Sequence, residues 1–327
     1  MSKCYRCSIN LDSNNESVEH IINNFLGGKL KSRKLLCDKC NISFGEGIDV
    51  SLQKQIPLGS LMDVKRDRGS APKLDALNSS GERYTIDPKK REAEIKPGKP
   101  REFIDEHGEQ TFEVKGSAGI KAYLKARRKE YPDLTDDQFN KKVLLKQDPH
   151  DEVFTPELHG LKPLNGADAY RAIAKIAINY YVHLTDDFSM IHDSVDFVKN
   201  KTTITKERVF NYYKQSRDEL GLFTDEVSHV LYLEGNYAER MLFCYIELYN
   251  VYCFVIVLNY DYDGPDIKNQ HRLNVINRQV INELISTNLT FDEVRKLQFP
   301  GVNIDGFKER LFQFGDITGL EFRVLNN

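Results

Sequence analysis

Cys4-Tyr5-Arg6-Cys7 and Leu35-Leu36-Cys37-Asp38-Lys39-Cys40-Asn41 decide how this chain is read. In each pair two residues separate the cysteines, a spacer that folds as a tight knuckle and turns both thiolates toward one point. Four of the six cysteines sit here, whereas Cys244 and Cys253 lie in an apolar stretch and read as small core residues. The chain opens Met1-Ser2-Lys3 with no apolar signal-peptide core, so the expected compartment is the cytoplasm. There, paired C-x2-C units bind metal rather than form disulfides, and two redox pairs would need a βαβ context that is missing. Cys4, Cys7, Cys37 and Cys40 are therefore expected to hold one structural zinc. A module of about 50 residues buries too little apolar surface to fold well alone, and a zinc ion contributes on the order of 10 kcal/mol.

Between the knuckles lie 29 residues, Ser8 to Leu36, more than the roughly 15–20 of a plain zinc ribbon. Glu19-His20-Ile21 follows a polar turn and reads as a short strand. Gly27-Gly28 reads as a flexible loop. A short helix is expected from near Asn41, carrying Ile42, Phe44 and Ile48 inward. This order of features resembles the HNH endonuclease family: C-x2-C, Glu-His-Ile, Leu26-Gly27-Gly28, then Leu-Leu-Cys-x2-Cys-Asn and Gly45-x3-Asp49. In particular it is similar to the branch whose ββα-metal finger is braced by four cysteines, over residues 4–49.

The resemblance implies a role for each matched position. His20 stands where the family has its general base, and an imidazole suits proton abstraction from water near neutral pH. Glu19 matches the acidic position that binds a catalytic divalent ion, and Asn41 the last position of the signature, a second metal ligand. Adjacent strand residues point to opposite faces, so Glu19 and His20 converge only if the backbone bends. Alone, a Glu-His pair reads as a solvated or structural contact; set between zinc knuckles it is a nuclease candidate. Two positions depart from the family. Ser32 replaces the middle Asn that orients the histidine, with Asn23 or Asn24 as candidate substitutes for that amide, and Asn23 stands where Pro is common. Asp49 is either a further ligand-side carboxylate or a helix-end surface residue. The implied ion is Mg2+ or Mn2+, the implied substrate DNA, and the implied product carries a 5′ phosphate. One such site cuts one strand, so a double-strand break requires a homodimer or repeated nicking.

The remainder is less specific. At 327 residues, with 40% hydrophobic and 29% charged, the composition is that of a folded chain of roughly two domains, which excludes collagen-like and disordered readings. No apolar run approaches about 18 residues, so no membrane partner is expected. Residues 1–150 carry 28 Lys and Arg against 23 Asp and Glu, and residues 151–327 carry 18 against 26, placing polyanion affinity in the front half. Arg33 and Lys34, beside Ser32, and Arg66 and Arg68, in Lys65–Arg68, are candidate phosphate contacts, with a solvated surface as the alternative for the latter two. Short strands are expected at 83–86 and 110–114 with a turn at 106–109, and helices over 118–131 and 136–145. After Pro156, a helix over 166–182 buries one face and leaves Lys175 on the surface. Strands follow over 227–234, 241–248 and 251–260, the last two joined at Tyr249-Asn250, and then a helix over 273–285 with Ile276, Val280 and Leu284 inward.

The expected fold is α+β: a zinc-braced ββα-metal HNH finger over 1–52, a polar hairpin and helix region over 53–155, and an α+β regulatory or assembly domain over 156–327. The expected function is a metal-dependent DNA endonuclease, by analogy of the restriction or anti-phage kind, with a sensor or partner protein bound through the C-terminal domain. The alternative is a non-catalytic zinc module that binds DNA or protein.

Overall fold

Sequence-local forces shape the opening segment. A computed structural model describes residues 2–69, 163–199, 207–213, 226–283, 289–297 and 304–318, and within 70–162 the residues 71–77, 83–87, 89, 92–96, 101–104, 110–114, 117–135 and 138. Two short antiparallel strands, β1 (Glu19–His20) and β2 (Lys31–Ser32), pair Glu19 with Ser32 and His20 with Lys31. A continuous helix follows, made of α1 (Asp38–Phe44), a π-helical stretch over Gly45–Asp49 and α2 (Val50–Gln55), and then a short α3 (Leu58–Leu61). Cys40, Phe44, Ile48 and Leu52 recur every four residues and are buried. Ile42, expected inward, is instead exposed, because it lies two residues from that row and faces the other way.

The chain groups by contacts into two units, Met1–Ala71 with Leu161–Asn327, and Pro72–Gly160. In the second unit β3 (Leu74–Leu77), β4 (Arg83–Asp87) and β5 (Glu92–Ile95) form an antiparallel sheet. There too β6 (Arg101–Ile104) pairs with β7 (Gln110–Glu113), and α4 spans Ser117–Glu130. The turn expected at 106–109 and most of the helix expected over 136–145 lie outside the described residues.

In the first unit α5 (Ala167–Thr185) and α6 (His192–Lys199) precede a five-stranded antiparallel sheet. Its strands are β8 (Val209–Asn211), β9 (Ser228–Asn236), β10 (Met241–Leu248), β11 (Tyr252–Asn259) and β12 (Ile267–Asn274), in the order β12-β9-β10-β11-β8. Side chains alternate across it. Leu242, Cys244, Ile246 and Leu248 join one core with α5, α6 and the finger's Leu36, Phe44 and Leu52, while Phe243 and Tyr245 join a second core with Val294 of α7 (Phe291–Arg295). Both faces are covered, which is why β10 reads as an apolar run from Met241 to Ile246. A last helix, α8 (Ile304–Thr318), lays Phe307, Leu311 and Phe314 on the first core. Cys244 and Cys253 are fully buried. No helix among the described residues is long and apolar enough to cross a membrane.

The helix expected over 273–285 does not form. Asn274 ends β12, and its Oδ1 accepts from the backbone N–H groups of Ile276 (2.9 Å) and Asn277 (3.1 Å), closing a side-chain turn that competes with helix. Ile276 and Val280 are consequently exposed, and Leu284 lies outside the described residues.

One carbonyl of the finger takes two donors from the sheet. Leu26 O accepts from His229 Nε2 and from the Tyr249 hydroxyl, both at 2.8 Å. Tyr249 and Asn250 form the β10–β11 turn with φ of 57° and 61°, the left-handed pair that a tight hairpin needs. The Tyr249 N–H donates to His229 Nδ1 at 3.2 Å, so the imidazole is neutral, with its proton on Nε2. Burial pushes the His229 pKa down to about 4; the Leu26 carbonyl pulls the other way and His271 adds to the push. A free histidine titrates near 6.5, so the unfolded chain takes up this proton first as pH falls. The contribution of His229 is therefore complete above about pH 6.5 and is lost down to about pH 4, an effect on the order of 3 kcal/mol. Denaturant unfolding between pH 7.5 and 4 is expected to show this loss, and the H229Q variant, weaker at pH 7.5, a visibly flatter profile. Equal slopes for the two proteins would contradict the assignment.

Candidate active site

The four sulfurs come together as their spacing requires. All lie within 4.8 Å of one another, and Cys7 Sγ is 3.7 Å from Cys37 Sγ. A tetrahedral zinc with bonds of about 2.3 Å sets its sulfurs roughly 3.8 Å apart, so the cluster fits a zinc ion. The knuckles are closed by the backbone, with Ser8 N–H donating to Cys4 O at 2.7 Å and Asn41 N–H to Cys37 O at 2.9 Å. The second of these bonds also begins α1, so the cluster sets the start of the helix that carries the rest of the site.

One face of that helix lines a pocket of about 220 Å³. Asn41, Gly45, Asp49 and Gln53, four residues apart in succession, form its floor, and Glu19, His20, Asn23, Asn24, Phe25 and Arg68 its walls. A Cβ at Gly45 would meet nothing within 4 Å, so glycine there keeps the space between Asn41 and Asp49 open. The π-helical stretch gives this helix a wider turn just where Asp49 sits, a feature that recurs at functional sites. Two oxygens of the pocket, Asn23 Oδ1 and Asp49 Oδ1, are buried without a donor among the described residues. Orphaned acceptors beside a carboxylate and an amide make an oxygen-rich donor set, which fits a hard divalent ion.

His20 lines the same pocket, and its Nε2 lies 2.9 Å from Asp67 Oδ2. An ionised carboxylate only accepts, so Nε2 carries a proton, and in the neutral imidazole the lone pair is then on Nδ1. Asp67 is itself pinned by Lys31 at 2.5 Å and Arg278 at 2.6 Å. Lys31, then Arg278 and His20, hold its carboxyl well below the usual carboxylate range. The strap that carries it is fixed by Asn24, whose Oδ1 accepts from Asp67 N–H at 2.9 Å and whose Nδ2 donates to Arg68 O at 3.1 Å.

Behind the carboxylates stands α5. Lys175, expected on the surface, is buried: its Nζ lies 2.5 Å from Glu19 Oε1 and 2.8 Å from Asp49 Oδ2, and only 1% of the side chain is exposed. The helix has no solvent side over this stretch, since Ala172 through Val182 are all buried between finger and sheet. Burial alone would strip the proton from Lys175, but Asp49 and Glu19 outweigh it and the pKa is raised, so the group is an ammonium. One turn on, Asn179 donates to Glu19 Oε1 and to His20 O, each at 3.3 Å, and accepts from the Tyr5 hydroxyl at 2.8 Å.

Residues 4–57 match the family model of the HNH endonucleases. Neither curated proteins nor solved structures show a significant match to the chain. The match makes nuclease chemistry on DNA the expected activity of the HNH segment. Of the residues expected at its site, Glu19, His20, Asn41, Asp49 and Arg68 line the one pocket and Ser32, Arg33, Lys34 and Arg66 do not. Ser32 Oγ accepts from Lys34 N–H at 3.1 Å, so it braces the β2 turn rather than the imidazole. Arg33 pairs with Glu16 and Lys34 with Asp186, both at 3.2 Å, while Arg66 turns inward to the Ser60 hydroxyl at 3.1 Å.

The sequence reading missed three residues, Asp67, Lys175 and Asn179. Asp67 was hidden by the basic residues around it in Lys65-Arg66-Asp67-Arg68. Lys175 and Asn179, one turn apart, gave no signal, because both lie on the side of the helix away from Ile173, Ile176, Ala177 and Tyr180, the row expected to be buried. For the zinc centre, elemental analysis is expected to give one zinc per chain. The C37S variant is expected to lose it and to melt roughly 5–10 °C lower. An unchanged melting temperature in a zinc-free protein would argue that the sulfurs hold nothing structural.

Proposed function

We propose that this chain is a metal-dependent endonuclease that hydrolyses phosphodiester bonds in DNA. One observation carries the reading: an imidazole backed by a carboxylate shares a single pocket with the oxygens of Glu19, Asn41 and Asp49, within a segment matching the HNH endonucleases. His20 Nδ1 takes the proton of the attacking water. Asp67 fixes the tautomer and stabilises the imidazolium that forms, the logic of a base held by an orienting carboxylate. Arg68, exposed at the rim, is placed to pair with a phosphate on entry. Glu19, Asn41 and Asp49 would hold the divalent ion. When bound, Mg2+ or Mn2+ supplies Lewis-acid stabilisation of the charge that develops on the phosphate and the leaving oxygen. Among the described residues each chain carries one such pocket, so it nicks one strand per encounter, and a clean double-strand break calls for a second copy. The C-terminal domain serves as part of the nuclease scaffold, because α5 reaches the pocket from behind.

Plasmid nicking with Mg2+ or Mn2+ tests this directly. Wild type is expected to nick and to stop with EDTA, and H20A to lose about 10²–10⁴ in rate, the usual worth of a general base. D67N is expected to lose at least tenfold in kcat with little change in KM for DNA, since Asp67 positions the base and does not hold substrate. Retained DNA binding with no cleavage under any divalent ion would instead identify a non-catalytic zinc module.

A further inference from the structure

Two carboxylates facing one pocket repel each other, and this site contains the remedy. Glu19 and Asp49 line the pocket, whereas Lys175, in contact with both, does not. The ammonium therefore approaches from the protein side, and the carboxylates stand between it and the opening. Its contacts take Glu19 Oε1 and Asp49 Oδ2, while Asp49 Oδ1 is left without a donor. A divalent ion can use that oxygen without evicting the lysine. Eviction would also be difficult, because the stem of Lys175 is wedged in a helix flanked by Ala172, Ile173, Ile176 and Ala177, all fully buried.

We propose that Lys175 is a resident counter-ion of the nuclease site, which holds Glu19 and Asp49 in place before any divalent ion arrives and lowers the site's affinity for that ion. With the lysine the cluster carries one net negative charge, and without it two, in surroundings where charges interact more strongly than in water. The lysine thus supports the empty site and opposes its filling. A divalent ion is then held loosely by the protein alone and more firmly once a DNA phosphate adds its own negative oxygen. This inference rests on the nuclease reading, because it takes Glu19 and Asp49 to be ion ligands.

The test uses full-length, zinc-loaded protein, with Mn2+ as the probe and calorimetry and thermal melting as readouts. The K175M variant is expected to bind Mn2+ at least tenfold more tightly than wild type, about 1.4 kcal/mol, and to melt lower than wild type without Mn2+. The K175R variant, which keeps the charge, is expected to stay within a few-fold of wild type. If K175M fails to fold alone, Mn2+ is expected to restore its melting transition by supplying the missing positive charge, and failure of saturating Mn2+ to do so overturns the proposal. It is equally overturned if folded K175M binds Mn2+ no more tightly than wild type while E19Q weakens binding, a result that leaves the nuclease reading intact. If wild type takes up no Mn2+ beyond the four-sulfur site and E19Q changes nothing, the nuclease reading itself fails.

Discussion

The ammonium of Lys175, closed off from solvent between Glu19 and Asp49, is the interaction on which this architecture turns. It joins strand β1, the π-helical stretch and α5, three elements that no local contact would assemble. Removing one partner of such a cluster leaves an uncompensated buried charge, which typically costs about 3–5 kcal/mol. The arrangement explains why the HNH segment and the C-terminal sheet share a single hydrophobic core. Carboxylates that depend on α5 for their counter-charge cannot sit on a finger that swings free of it.

The second dependence is the latch at Leu26. His229 and Tyr249 both donate to its carbonyl, and the finger loop is thereby held to the turn between β10 and β11. Gly59 permits the close approach, since a Cβ there would lie 2.1 Å from the Tyr249 hydroxyl oxygen. The cysteine cluster, the latch and the buried ammonium brace the finger at three separated points, and the pocket lies among them.

Much of this was legible in the sequence, and the boundary of what was legible follows interaction range. The cysteine knuckles, the Glu19-His20 strand and the Phe44–Ile48 helix face depend on spacings of a few residues, and a single chain displays those. The β10–β11 hairpin was readable for the same reason. Ile42 was misplaced because hydrophobicity was counted without its angular position. The expected helix over 273–285 failed because Asn274 offers its side chain to the backbone, a local competitor that apolar periodicity ignores. Lys175 was assigned to the surface because its partners lie 156 and 126 residues away, beyond any pattern that periodicity can register. Asp67, 47 residues from His20, was concealed among the neighbouring cations Lys65, Arg66 and Arg68.

The most direct measurement is anomalous X-ray diffraction from crystals of the zinc protein soaked in Mn2+, recorded at the manganese and zinc edges. The account requires a zinc peak among Cys4, Cys7, Cys37 and Cys40. It also requires a separate manganese peak bounded by Glu19, Asn41 and Asp49, with the Lys175 ammonium still against both carboxylates. A pocket without manganese, or a manganese ion seated where the ammonium had been, would contradict it.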